Sequence, residues 1–372
     1  MKRILFQTRF NIFERKGGDT VQLLKTKEYI EKLSADIKID IINDPNIDLT
    51  PYDLVHIFNL LRPQETLLYV ENAKKQNKKI ALSTIYWKSE EFEKNAQIGL
   101  RKVLNNFLGY DRIEKLRAAY RYFLDGEKHL GTKKILQKGF VESQKYILEQ
   151  SDILLPNGIG EIKLMEKELD LIKTPPYIVV PNAIDETLIP LGNYEEKGQE
   201  RDVVLCVGRI EPRKNQLNLV KAMQGLDINL ILVGKVHSTQ MNYFAKVKKI
   251  VDESPNIKII DEIEHEQLFN LYKSAKVHVL PSWYDTPGLV SLEASVNGCN
   301  IVVTNRGTTE EYFESDAYYC EPDNIVSIKN AIVQAYNNPY NDNLKRKILK
   351  EYTWKNTAEK TIMAYNKLLL KD

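Results

Sequence analysis

Two stretches of the chain carry residue types and spacings suited to holding a phosphorylated ligand. In Val207-Gly208-Arg209-Ile210-Glu211-Pro212-Arg213-Lys214-Asn215 an apolar run ends, and a helical pattern opens at about Asn215, whose short side chain suits an N-cap. A helix N-terminus carries about half a unit of positive charge, and Arg209, Arg213 and Lys214 crowd beside it. Cations gathered where a helix already favours anions point to a phosphate or diphosphate between them. Solvated loop cations are the plain alternative.

The second stretch is Trp283-Tyr284-Asp285-Thr286-Pro287-Gly288-Leu289-Val290-Ser291-Leu292-Glu293. Thr286 reads as an N-cap and Pro287 as the first helical residue. The amides of Gly288 and Leu289 then point out of the helix end, with no side chain at Gly288 to block a phosphate. Glu293 follows Thr286 by seven residues, which places it on nearly the same side about 10 Å further along. That span suits a ligand with a sugar at one end and a ribose at the other. Among Leu289, Val290, Leu292 and Ala294 an ionised carboxylate needs hydrogen-bond donors, and ribose hydroxyls would supply them. A Glu paired to a structural Arg or Lys is the other reading.

These loops need strands and helices behind them. Short β-branched runs recur at Val203 to Val207, Asn229 to Val233, Ile257 to Ile260, Lys276 to Leu280, Asn300 to Val303 and Ala317 to Cys320. Helical periodicity fills the gaps, as in Leu217, Val220 and Ala222 or Leu268, Leu271, Tyr272 and Ala275. Such βαβ alternation predicts a doubly wound parallel sheet. The first half repeats the type, with strands expected at Arg3 to Gln7, Ile37 to Ile42, Leu54 to Phe58, Ile80 to Ser83 and Ile153 to Leu155, interrupted by a mostly helical stretch from about 90 to 150. Pro175-Pro176, Pro181-Asn182 and the polar run from Gly192 to Glu200 separate the two series. The expected fold class is α/β, with two Rossmann-like domains facing across a cleft. The expected division is 1–185, a linker over 186–200, a nucleotide-sugar domain over 201–352 and a closing amphipathic helix over 353–372.

At these residues the chain resembles the retaining GT-B glycosyltransferases of family 4, the group 1 glycosyltransferases. Arg209 and Lys214, preceded by Gly208, look like that family's R-x4-K phosphate-binding pair. Asp285 to Glu293 looks like its E-x7-E motif, with Gly288-Leu289 in place and Glu293 as the ribose-binding acid. Asn305-Arg306-Gly307-Thr308-Thr309-Glu310 resembles the later G-x-x-E loop, and Pro181-Asn182-Ala183-Ile184-Asp185 the PNxxD stretch before the hinge. Two positions depart from the pattern: the first acid is Asp285 rather than Glu, and Gly-aromatic has become Thr286-Pro287. The resemblance implies transfer, with retention, of a sugar from a UDP- or GDP-linked donor to a glycan or lipid-linked glycan, in the manner of bacterial surface polysaccharide synthesis. It implies Arg209, Lys214, Asp285 and Glu293 as the catalytic set and Thr286, Pro287, Gly288, Leu289 and Val290 as further donor contacts. It also implies a last helix that crosses back to the first domain.

In the first half, Gly17-Gly18-Asp19 follows the first strand and opens a helix whose Val21, Leu24, Tyr29, Ile30 and Leu33 are expected to face the core. A plain turn explains paired glycines as well, but the resemblance implies that this loop closes over the donor phosphates. After Ile80 to Ser83 come Thr84-Ile85-Tyr86-Trp87, where many family members have a histidine near the reacting sugar. Thr84, Tyr86 and Trp87 are therefore expected on the sugar or acceptor side. Tyrosine is a poor base at neutral pH, so no side-chain base is assigned, and an aromatic packed at the domain rim is the alternative for Tyr86. Residues 101–145 hold eleven Lys or Arg against five acids, interleaved with Phe107, Tyr110, Tyr120 and Phe123. That composition suits an anionic membrane face or a lipid diphosphate, and also a solvated helical face.

The bulk numbers set the outer limits. A chain of 372 residues with 43% hydrophobic and 28% charged residues is sized for two globular domains and excludes disordered and collagen-like classes. Cys206, Cys299 and Cys320 sit in or beside apolar runs without CxxC spacing and read as buried free thiols. The first apolar run, Ile4-Leu5-Phe6, is too short for a secretory signal, so a cytoplasmic protein is expected, with the basic segment as its contact to the inner face of the membrane. No Asp-x-Asp pair offers ligands for a metal-clamped diphosphate, so no metal or other cofactor is expected. No GxGxxG follows a strand, which argues against a dinucleotide oxidoreductase. Nucleic-acid binding would leave both anion-binding helix ends unexplained. Two rivals share the architecture: a sugar-nucleotide epimerase, which needs no acceptor, and a non-catalytic GT-B partner subunit.

Overall fold

The computed structural model describes residues 1–87, 92, 110–123, 129–171, 173–186 and 201–370. Most of the expected linker, and residues 101–109 and 124–128 of the basic stretch, lie outside them. The described residues form two compact units. Of the described residues, one takes in those from Met1 to Trp87 and from Tyr110 to Asn182 together with the last helix; the other takes in Phe92 and those from Ala183 to Thr353.

The first unit runs β1 (Lys2–Gln7), α1 (Gly18–Leu33), β2 (Ile37–Ile41), β3 (Leu54–Phe58), α2 (Pro63–Lys75), β4 (Lys79–Ser83), α3 (Tyr110–Phe123), α4 (Leu130–Lys138), α5 (Phe140–Gln150), β5 (Ile153–Leu154) and α6 (Ile159–Leu169). Its sheet has the order β2-β1-β3-β4-β5, with every pairing parallel. The second unit runs β6 (Val203–Val207), α7 (Gln216–Met223), β7 (Asn229–Val233), α8 (Met241–Asp252), β8 (Ile257–Ile260), α9 (His265–Ser274), β9 (Ala275–Leu280), α10 (Leu289–Val296), β10 (Asn300–Thr304), α11 (Thr309–Phe313), β11 (Tyr318–Cys320), α12 (Ile325–Asn337) and α13 (Asn343–Glu351). Its parallel sheet has the order β11-β10-β9-β6-β7-β8. Strands covered on both faces read as unbroken apolar runs; all five residues of β3 and all five of β10 are buried. The chain leaves β6 for β7 and β8, then returns to the other side of β6 as β9, so the β6/β9 boundary is the topological switch point. Ligands of open α/β sheets bind at the carboxyl ends of the strands there. The Arg209–Lys214 loop follows β6 and the Asp285 loop follows β9.

The last helix, α14 (Trp354–Leu369), packs along α1. Lys2 Nζ donates to Asn366 Oδ1 (2.9 Å), and Thr357 Oγ1 donates to the Pro181 carbonyl (2.7 Å). The α1 face differs from expectation. Tyr29 and Ile30 are buried, but Val21, Leu24 and Leu33 are 42%, 41% and 41% exposed, and the covered face carries Thr20, Gln22, Leu23 and Thr26. Polar residues can take that face because they have partners: Thr20 Oγ1 donates to the Ile12 carbonyl, and Gln22 Nε2 to Asn157 Oδ1.

Cys206, Cys299 and Cys320 are free and buried, as expected. Among the described residues no helix is long and apolar enough to cross a membrane. Two histidines are buried neutral. His56 on β3 meets the Tyr365 hydroxyl at Nδ1 (2.7 Å) and Ser83 Oγ at Nε2 (2.9 Å), while neither nitrogen of His278 on β9 has a hydrogen-bond partner among the described residues. Burial pushes both from 6.5 down to about 3; at His278 the nearby Lys214 charge pushes further down and Asp285 opposes it. Because each folded-state value lies below the unfolded one, the unfolded chain binds protons that the folded chain refuses between those two pH values. Stability therefore falls as pH drops through that window, by up to about 1.4 kcal/mol per pH unit for each histidine. Urea unfolding at about pH 7 and about pH 5 checks this, with His56→Gln and His278→Gln each expected to flatten the slope by about one proton.

Candidate active site

The loop after β6 is built from the backbone outward. Pro212–Lys214 forms a single 3-10 turn and α7 begins at Gln216. Asn215 does occupy the cap position, but its side chain does not cap the helix. At φ +63° it turns inward, and Nδ2 donates to the carbonyls of Pro281 (3.0 Å) and Pro322 (2.6 Å). Three segments of the second unit are thereby tied at one residue, which outweighs the single bond a cap would give. Gln216 also braces the loop, as Nε2 donates to the Arg209 carbonyl (2.9 Å) and Oε1 accepts from the Glu211 amide (3.3 Å).

The three cations of this loop differ in state. Arg209 reaches solvent, its side chain 55% exposed and 3.6 Å from Glu211. Lys214 is buried and donates through Nζ to Asp285 Oδ2 at 2.7 Å. Arg213 lies between: Nε donates to Glu211 Oε1 (3.2 Å), Nη1 donates to the Tyr284 carbonyl (3.3 Å), and Nη1 is 3.8 Å from Asp285 Oδ1. Burial pulls Asp285 upward, but the charges of Lys214 and Arg213 overcome it and hold the carboxyl below its usual range. Burial, aided by the Arg213 charge, lowers Lys214 against the opposing pull of Asp285. Asp285 is thus an ionised counter-ion with two cations on it.

The loop after β9 departs from the expected helix start. Thr286-Pro287 is a cis peptide, α10 begins at Leu289, and the cap position is Gly288 at φ +91°, a conformation suited to glycine. Thr286 and Pro287 therefore precede the helix instead of capping it and opening it. The cause is tertiary. Asp285 is held as an extended residue by the loop before α11: its amide donates to the Arg306 carbonyl (3.4 Å), and its carbonyl accepts from the Thr308 amide (3.0 Å). Gly307 makes that approach possible, since a Cβ there would lie 1.8 Å from the Asp285 carbonyl oxygen. This is the physical use of the glycine in the G-x-x-E stretch, whose Glu310 is exposed. The amides of Ser291 and Leu292 donate to the Gly288 carbonyl, while those of Gly288, Leu289 and Val290 have no backbone partner among the described residues. They are the donors that a helix start offers an anion.

Glu293 is the fifth residue of α10, about 6 Å of helix rise from Leu289. The Tyr272 hydroxyl on α9 donates to Glu293 Oε2 at 3.2 Å. Burial, reinforced by the Glu293 charge, pushes the Tyr272 phenol well above its ordinary range, so it stays protonated and a donor. The periodicity of α9 marks Tyr272 only as a core position; its hydroxyl is legible once α9 and α10 are side by side.

In the first unit, Gly17 is extended (φ −157°), and a Cβ on exposed Gly18 would meet nothing within 4 Å. Thr84 and Tyr86 are 0% and 1% exposed, with Tyr86 inside the hydrophobic core. Tyr86 thus packs in the core and not at a rim, and its side chain does not reach solvent. Trp87 is partly exposed.

The model of glycosyl transferases group 1 matches residues 193–355. The group 1 segment thus covers every loop of the second unit that bears on the site. The chain is 28% identical over 246 residues to the O-antigen chain mannosyltransferase B of Escherichia coli, covering 61% of this chain and 62% of that one. It spans less than two thirds of the length of the curated relatives it matches. In fold the chain is GT-B. It is similar to a sucrose-phosphate synthase from Thermosynechococcus elongatus (TM-score 0.70, 16% identity, 99% of both chains). It is similar also to HepE of Anabaena in complex with UDP and glucose (TM-score 0.66, 12% identity, 99% of this chain and 100% of that one).

Proposed function

We propose that the protein is a retaining glycosyltransferase that moves a sugar from a UDP- or GDP-linked donor to a hydroxyl of a glycan or lipid-linked glycan. The observation that carries this reading is the convergence at one switch point of an exposed cation (Arg209), a buried ion pair (Lys214–Asp285) and three open amides (Gly288 to Val290). As the bond from the anomeric carbon to the diphosphate breaks, negative charge grows on the leaving phosphate. Lys214 and the α10 amides are held in place before that charge appears, which is what makes such groups effective, and Arg209 adds a cation that reaches solvent. Asp285 orients the sugar while holding Lys214 in place, and Glu293, steadied by Tyr272, accepts from the ribose hydroxyls. With protein cations in this role, the reaction needs no metal at the diphosphate. The likeness to an O-antigen chain mannosyltransferase supports a place in surface polysaccharide synthesis, and the UDP and glucose in HepE support a nucleotide-sugar donor.

Nucleotide release from a panel of UDP- and GDP-sugars, with and without glycan acceptors and with a chelator present, tests the proposal. Acceptor-dependent release with a product of retained anomeric configuration is the expected result. Isomerised donor without acceptor would make the protein an epimerase instead. Tyr272→Phe bears on the ribose end: losing a hydrogen bond to a charged group is expected to raise the donor KM about tenfold with kcat little changed.

A further inference from the structure

Glu161, third residue of α6, is fully buried in the first unit, and its two carboxylate oxygens bond in different directions. Oε2 accepts from the Asn157 amide (2.7 Å), a local bond at the start of its own helix. Oε1 reaches a distant loop, accepting from Thr84 Oγ1 (2.5 Å) and from the Tyr86 amide (2.6 Å). Those two donors flank Ile85, which stands at φ +43°. A β-branched residue in that region is a strained outlier, maintained only where its surroundings over-determine it. The strand ends add to the restraint: the Asn59 amide donates to the Ser83 carbonyl (2.9 Å) and the Leu60 amide to the Thr84 carbonyl (2.8 Å). Asn157 also accepts, through Oδ1, from Gln22 Nε2 on α1, so one buried network joins the loops after β4 and β5 to α1.

Helix capping needs one oxygen and leaves the other unexplained. The loop that the second oxygen holds leaves the carboxyl end of β4, the edge at which an open parallel sheet presents its ligands. Thr84 and Tyr86 are turned into the core, which leaves Trp87 as the partly exposed end of the segment. We infer that Glu161 is a positioning residue for the sugar acceptor: by pinning Thr84 and Tyr86 on either side of Ile85, it sets the turn that presents Trp87. This inference rests on the transfer reaction proposed above.

Glu161→Gln tests it, because an amide has one acceptor oxygen where the carboxylate has two, so a buried donor of the network loses its partner. In the folded variant, amide hydrogen exchange over 84–87 is expected to quicken at least about tenfold. Acceptor KM is expected to rise at least about fivefold, with kcat and donor KM within about twofold. Adding Ile85→Gly, which takes a positive φ without strain, should restore at least half of the acceptor effect. Thr84→Val, removing one donor while keeping shape, should shift both readouts in the same direction and serves alone if Glu161→Gln does not fold. Unchanged exchange over 84–87 in a folded variant, or equal losses for donor and acceptor, would overturn the inference. If the parent protein transfers no sugar, the reaction reading fails, and the exchange measurement still decides whether Glu161 sets this turn.

Discussion

Lys214→Ala is expected to lower kcat by about 10²–10³-fold, the usual effect of removing one preorganised donor from a developing anion. It is also expected to destabilise the fold, because Lys214 is the close partner of buried Asp285. Removing one member of a buried pair costs roughly 3–5 kcal/mol, and the lower end applies here because Arg213 remains 3.8 Å from the same carboxylate. Arg209→Ala should separate the two effects. Its side chain is 55% exposed, so stability should change by about 0.5 kcal/mol or less, while kcat falls about 10²-fold. Single-turnover rates and urea unfolding of both variants check the pair of outcomes. A Lys214→Ala protein of parental stability would show that Asp285 does not depend on it.

Gly307→Ala should produce the largest structural effect of any one-carbon change at the site. The residue stands at φ +100°, and the added carbon would meet the Asp285 carbonyl oxygen at 1.8 Å. Backbone faces backbone, so no flexible side chain can yield. A cost of about 3 kcal/mol combines this overpacking with the strained backbone. For a unit of this size it corresponds to a Tm lower by roughly 6–12 °C. Displacing Asp285 by about 1 Å should also cost about 10²-fold in turnover. Differential scanning calorimetry and initial rates give the two readings, and an alanine variant with the parental Tm would mean that the Asp285 and Gly307 backbones do not pair as described.

The strands were legible from sequence because buried parallel strands are written as continuous apolar runs; each lies within one residue of its expected span. The place of the two loops proposed to meet the phosphates was legible for a related reason: they follow the two strands at the switch point, and their cations and acids stand close together in the chain. Features that depend on contacts between distant segments were not. Asn215 is a good cap by type, but the carbonyls of Pro281 and Pro322 claim its side chain. Thr286 is another, but the backbone pairing of Asp285 with the Arg306–Thr308 loop delays the helix to Leu289. On α1 the apolar residues Val21 and Leu24 lost the covered face to Thr20 and Gln22, whose partners lie elsewhere in the fold. The departure of Asp285 from the family's glutamate also acquires a physical sense. The shorter side chain still reaches Lys214 at 2.7 Å, so the acid is a counter-ion to a buried cation.

On the proposed function, the second unit binds a nucleoside diphosphate through Arg209, Lys214 and the start of α10. Thermal shifts with UDP and GDP, set against uridine and guanosine, test it most directly, since a ligand bound only by the folded chain raises Tm. At least one diphosphate should raise Tm while its nucleoside does not, and Arg209→Ala should abolish most of that shift. Equal shifts from nucleoside and diphosphate, or a full shift in Arg209→Ala, would contradict the assignment.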